Sequence, residues 1–224
     1  MSKRRHSRTV KPEHFAWLLA CFCLSASVAA NEVKVTVLDV EGRPVAGVAV
    51  YAQFAEGGEQ PVPADYAVMD QVDTRFDPHL LIVQSGTEVR FPNSDVVAHH
   101  VYSFSNPNDF ILPLYKGDAH APVTFDESGV VTLGCNIHDQ MLGYILVIDS
   151  NIFAKTDENG VATLPVGSSS LQAIAIWSPR IKTKGEVLSK SLAPDAGNEL
   201  VFNLTGKLRP PHSSESGALK WSDY

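Results

Sequence analysis

The sequence predicts an all-β protein, and three observations predict it. Short apolar runs recur along the chain, bounded by Gly, Pro, Asn, Asp and Ser. Several of them alternate apolar and polar residues, as a half-buried strand does. No stretch beyond residue 30 combines helical periodicity with end caps. Strands spaced in this way indicate a β-sandwich or barrel, and an apolar fraction of 44% suffices for a packed core.

The first residues read as an address label. Lys3, Arg4, Arg5, Arg8 and Lys11 precede an apolar run from Phe15 to Val28, and small residues close it before Asn31. This is the pattern of a secretory signal peptide over 1–30, too short to span a membrane, with cleavage expected after Ala29 or Ala30. Leu18-Leu19-Ala20-Cys21 is a weak lipoprotein-box alternative, and Arg4-Arg5 is a twin arginine without the rest of that signal. Export sets the expected location as the periplasm.

The chain carries 18 basic and 25 acidic residues; with five basic side chains and Glu13 in the leader, the remainder has 13 against 24, or −11. So acidic a surface disfavours nucleic acid and suits a basic protein partner. Cys21 and Cys23 also fall in the leader, which leaves Cys135 alone. In an oxidising compartment such a thiol is either buried and inert or bound to a metal.

Taken in order, Val33-Lys34-Val35-Thr36-Val37 alternates as a strand, Asp39 to Val45 supplies a turn, and Val48 to Ala52 returns. Gly57 to Pro63 is a loop or linker by composition. Leu80 to Val83, Glu88 to Phe91 and Val97 to Phe104 are strands, with Asn93-Ser94-Asp95 a turn and Ser105 to Asp109 a loop. Val130 to Leu133 and Leu142 to Ile148 are two more. Beyond Asn151, Thr156 to Pro165, Ser170 to Trp177 and Glu199 to Leu204 read as turn and strands. The tail 207–224 has too little apolar content to pack and is expected to be disordered, with Trp221 an exposed aromatic.

Between the two apolar runs lies Gly134-Cys135-Asn136-Ile137-His138-Asp139-Gln140-Met141, a hairpin loop presenting a thiol, an imidazole and a thioether. With one more histidine these are the ligands of a mononuclear blue-copper centre. Alternation puts Val131, Leu133 and Cys135 on one face, so the sulfur points inward. The further histidine can come from Phe91 to Val101. His99 shares a face with Val97 and Val101, and His100 shares the other with Ala98, Tyr102 and Phe104. Both faces are apolar, so periodicity does not choose between them. Met141 can instead be a core side chain, and methionine is a poor zinc ligand. A binuclear copper centre needs a second cysteine that the exported chain lacks. His79 and His120 read as surface residues; Phe110, Tyr115 and Phe125 read as core.

The segment Phe91 to Val101, taken with Cys135-x2-His138-x2-Met141, resembles the cupredoxins, the plastocyanin and amicyanin family, and its short loop is most similar to that of amicyanin. The resemblance implies a Greek-key β-sandwich over 69–149. It also implies one type 1 copper, held by His99, Cys135 and His138 with Met141 axial, and a partner that docks at the His138 edge, near Ile137 and Leu142. The wider run, including His99 to Phe104, Leu114-Tyr115-Lys116-Gly117 and Gly134 to Asp139, resembles bacterial periplasmic methylamine utilization proteins. That label describes a neighbourhood more than a chemistry.

Asp39-x2-Gly42-x-Pro44-Val45-x-Gly47-Val48, followed much later by Thr156-Asp157-x2-Gly160, resembles the carboxypeptidase regulatory-like sandwich. It implies that residues 31–55 and 150–206 form one split second sandwich around the copper domain. The rival arrangement gives Val33 to Ala52 to the copper sandwich itself.

Four functions follow from these residues. The leading expectation is a periplasmic one-electron carrier that passes electrons between redox proteins, with a basic cytochrome or a dehydrogenase as partner. A copper enzyme of the family would have a histidine beside the cysteine as a wire to a second metal. Here Gly134 and Asn136 stand there, and no enzymatic activity is expected. A copper-delivery or copper-holding protein could use the same ligands, and a metal-free binding module would leave them unexplained.

Overall fold

The computed structural model describes residues 32–54, 64–106, 108–167, 171–182, 187–191 and 198–211. The expected leader over 1–30, the 57–63 loop and most of the tail, Trp221 included, lie outside them. The described residues contain strands and turns and no helix, so the protein is all-β.

The strands gather around two cores. In the first, Glu32–Leu38 pairs antiparallel with Val161–Pro165 and parallel with Glu199–Asn203. Across from it lies a sheet ordered Phe153–Lys155, Ala49–Phe54, Leu171–Trp177, Leu188–Ser191. Val33, Val35 and Val37 point inward and meet Val50, Ala52, Leu164, Ile174, Ile176 and Phe202. The alternation of the first strand is thus the alternation of its burial. Among the described residues, neither Glu32–Leu38 nor Ala49–Phe54 pairs with any strand of 69–149.

The second core lies between a five-stranded and a three-stranded sheet of the described residues. The larger is ordered Leu80–Gln84, Leu142–Ile148, Gly129–Gly134, His99–Phe104, Asp109–Tyr115; the smaller, Val123–Phe125, Thr87–Arg90, Ala67–Val68. Met69, Phe76, Val89, Phe91, Phe125 and Ile145 fill the space between them, together with Cys135 and Met141. A separate hairpin, Asp70–Val72 with Arg75–Asp77, lies against one end of this sandwich.

A third buried cluster joins the two sandwiches: Leu80, Ile82, Leu146 and Ile148 from one, Ala49, Tyr51, Ala175 and Trp177 from the other. It explains why Leu142–Ile148 and Ala49–Phe54 read as nearly continuous apolar runs. Ile145 and Val147 face the second core while Leu146 and Ile148 face the seam, so both sides of that strand are dry. Each such side chain contributes roughly 1.5–3 kcal/mol when fully buried, so the seam couples the hairpin that carries the site to the neighbouring sandwich.

The structure corrects the reading of His79. It is buried, not on the surface: its Nδ1 lies 3.0 Å from the carbonyl of Leu142, and its ring meets Tyr144 edge-on. It sits beside the seam residue Leu80 and joins two strands of the sheet.

Candidate metal centre

Gly129–Gly134 and Leu142–Ile148 form the expected hairpin, in register from Gly129↔Val147 to Gly134↔Leu142. Val131, Leu133 and Cys135 are all buried on its inner face. The loop folds back through the Met141 N–H, which donates to the His138 carbonyl at 2.8 Å. This turn leaves Met141 fully buried and His138 half-buried.

His99 begins the neighbouring strand and is fully buried. Its inward partner on the strand is Val101, also fully buried, while His100 lies on the opposite face. Tertiary packing makes the choice that the two apolar faces of this strand leave open. The donor atoms of His99, Cys135 and His138 converge. Cys135 Sγ lies 3.8 Å from His99 Nδ1 and 3.9 Å from His138 Nδ1, and the two nitrogens lie 3.1 Å apart.

A triangle of those sides has its centre about 2.1 Å from every corner, within the range of roughly 2.0–2.3 Å for transition-metal bonds to imidazole and thiolate. Two neutral nitrogens and a thiolate around one such point are a donor set for copper or zinc. The residues present therefore fit a metal ion without rearrangement. Met141 is buried in the same core as Cys135.

The turn before His99 is built as tightly. Asn93 and Gly117 exchange backbone hydrogen bonds at 2.9 and 3.1 Å, and the Asn93 amide donates to the carbonyls of Val97 and Tyr115. Its Oδ1 accepts from the Asp95 N–H at 3.0 Å. The Asp95 carboxylate then reaches His99, with Oδ2 at 2.9 Å from Nε2, and also accepts from the Thr74 N–H at 2.7 Å. These bonds, that to His99 foremost, hold its pKa down at about 2. Asp95 was legible only as a turn residue; a carboxylate four positions before a candidate ligand is the signal that could have singled it out.

Tyr115 lies in the expected core. Its hydroxyl donates to the Phe91 carbonyl and accepts from Gln71, and burial pushes its pKa up to about 12. His120 lies edge-on to its ring and outside the triangle. Beside the turns that carry His99 and His138, Val96, Val97 and Ile137 are exposed and Leu142 is half-buried.

No protein-family model matches the sequence, and no curated protein does. Solved structures similar to the chain include amicyanin, a purple cupredoxin and a Cu-containing nitrite reductase. Amicyanin in its reduced state is 24% identical over 44% of this chain and 99% of its own, with a TM-score of 0.34. A purple cupredoxin from Nitrosopumilus maritimus is 22% identical over 37% of this chain and 99% of its own, at 0.33. A Cu-containing nitrite reductase from Thermus scotoductus SA-01 is 25% identical over 43% of this chain, at 0.36; the match spans only 25% of the reductase.

Proposed function

We propose that the protein is a periplasmic one-electron carrier built on one mononuclear type 1 (blue) copper site. Cys135, His99 and His138 are its strong ligands and Met141 its weak axial donor. The observation that carries this reading is the triangle of Cys135 Sγ, His99 Nδ1 and His138 Nδ1, with sides of 3.1, 3.8 and 3.9 Å. Copper, when bound, would supply the Cu(II)/Cu(I) couple.

The chain's own residues supply the rest. Three donors already converge, so loading and cycling require little movement of the protein. Cys135 and His99 are shielded from water, which protects the thiol. His138 is the least buried ligand and offers its ring edge as the way in and out for an electron. Gly134 and Asn136 flank the cysteine, so no histidine leads to a second metal and the protein is read as a carrier, not an enzyme. Residues 31–55 and 150–206 are read as one split sandwich of the carboxypeptidase regulatory-like kind, a reading supported by their mutual strand pairing. The partner is a redox protein, a basic cytochrome or a dehydrogenase, that meets His138 beside exposed Ile137.

The test is stopped-flow oxidation of the reduced, copper-loaded protein by a cationic cytochrome across a salt series. With a charge of −11 on the exported chain, rates should fall as salt screens the attraction. Asp139→Lys, an exposed change beside His138, should slow the reaction. Copper that leaves rapidly to a chelator and cycles poorly would instead make the protein a delivery protein.

A further inference from the structure

The residue next to a candidate ligand that most needs explaining is Asp95. Its side chain is only 7% exposed, and His99, which it touches, is fully buried. A carboxylate so placed is costly unless its hydrogen bonds are satisfied. Here an unusual piece of backbone satisfies them. The turn of the 70–77 hairpin is made by Asp73 and Thr74, both at positive φ, 49° and 57°. A β-branched residue in the left-handed region is disfavoured by roughly 1–2 kcal/mol, and strain of this kind persists where surrounding structure over-determines it. Its effect is to aim the Thr74 N–H at Asp95 Oδ2, 2.7 Å away. The same hairpin grips the neighbouring turn again through Asp70, which accepts from the Ser94 hydroxyl at 2.8 Å and the Ser94 N–H at 3.2 Å.

We infer that Asp95 is the positioning residue of the metal centre: its carboxylate holds His99 with Nδ1 bare and turned to Cys135, and its charge biases a bound copper towards Cu(II). This rests on the copper reading proposed above. An ionised carboxylate accepts only, so His99 must carry its proton on Nε2. Nδ1 is then a free lone pair at the triangle. Carboxylate partners of metal-bound imidazoles raise ligand basicity, and losing one costs roughly 10–100-fold in metal affinity. A negative charge beside the site stabilises the more positive oxidation state, so the loss should fall mainly on Cu(II).

The experiment uses the full exported chain and its Asp95→Asn and Asp95→Glu variants. Nitrogen-resolved NMR of the metal-free wild type should show His99 as the Nε2–H tautomer at a pH where both rings are neutral. Copper-loaded Asp95→Asn, which keeps an acceptor oxygen but loses the charge, should bind Cu(II) roughly tenfold less well relative to Cu(I). By the one-electron relation that ratio is an upward shift of about 59 mV in reduction potential. Asp95→Glu should restore most of it. An unchanged potential in a variant that keeps the wild-type visible band would overturn the inference and leave the copper reading intact. An Nδ1–H tautomer at His99 would overturn it without any metal. Wild-type protein that takes copper with no thiolate band would count against the copper reading instead, and the tautomer would still decide the role of Asp95.

Discussion

Gly143 lies directly against Phe76: a Cβ added at Gly143 would stand 2.7 Å from the Phe76 Cβ and 2.9 Å from its Cγ. The glycine belongs to the strand that leaves the Cys135–Met141 loop, and the phenylalanine to the hairpin that holds Asp95. Phe76 is 1% exposed, and the atoms that would clash are at the root of its side chain, so it cannot swing away. Gly143→Ala should therefore destabilise the protein by about 1–3 kcal/mol, the usual range for overpacking a core. At Gly134 the clash is with the far end of the Tyr102 ring, which is half-buried and can turn aside. Gly134→Ala should cost less. Denaturant midpoints of the two variants check the order.

Tyr115 and Tyr51 make the protein sensitive to base. Burial pushes both phenols up to about 12. A group whose folded pKa is raised contributes stability that is fully present below its unfolded value, near 10, and is lost as pH rises through 12. Metal-free protein should thus lose stability between roughly pH 10 and 12. Tyr115→Phe should flatten that loss while lowering stability at neutral pH, because the bonds to Phe91 and Gln71 disappear. Unfolding free energies measured against pH test this; a base limb as steep in the variant as in the wild type would contradict it.

Much of this architecture is legible in the residues, and the remainder is hidden for physical reasons. Val131, Leu133 and Cys135 announce their buried face by alternation, and the hairpin follows from the apolar runs around the loop. Asp109–Tyr115 is an edge strand that contains Pro113 and exposes the apolar Ile111 and Leu114, so its burial alternates over 109–113 while its sequence shows no polar–apolar alternation to read. The 70–77 hairpin turns on Asp73-Thr74, without the glycine that marks such turns. His79 follows Asp77-Pro78 at the start of an apolar run, and its burial comes with its contacts to the Leu142 carbonyl and the Tyr144 ring, which are distant in sequence. His99 and His100 are equivalent by pattern. Only the packing of one sheet on the other decides between them, and with it the place of Asp95.

Met141 is 1% exposed and shares its core with Cys135. If its sulfur is the weak axial donor, Met141→Gln should keep copper and colour while lowering the reduction potential, since a harder oxygen donor favours Cu(II). Cyclic voltammetry of the two proteins reads this directly. An unchanged potential would make Met141 a packing residue alone.

The visible spectrum of the Cu(II)-loaded protein, taken for the wild type and for His99→Ala, His100→Ala and Cys135→Ala, tests the metal centre most directly. The converging atoms belong to Cys135, His99 and His138, and His100 faces away from them. The wild type should show an intense thiolate-to-copper band that Cys135→Ala abolishes, His99→Ala largely bleaches and His100→Ala leaves in place. A band that survives in His99→Ala and vanishes in His100→Ala, or no band in the wild type at all, would contradict the assignment.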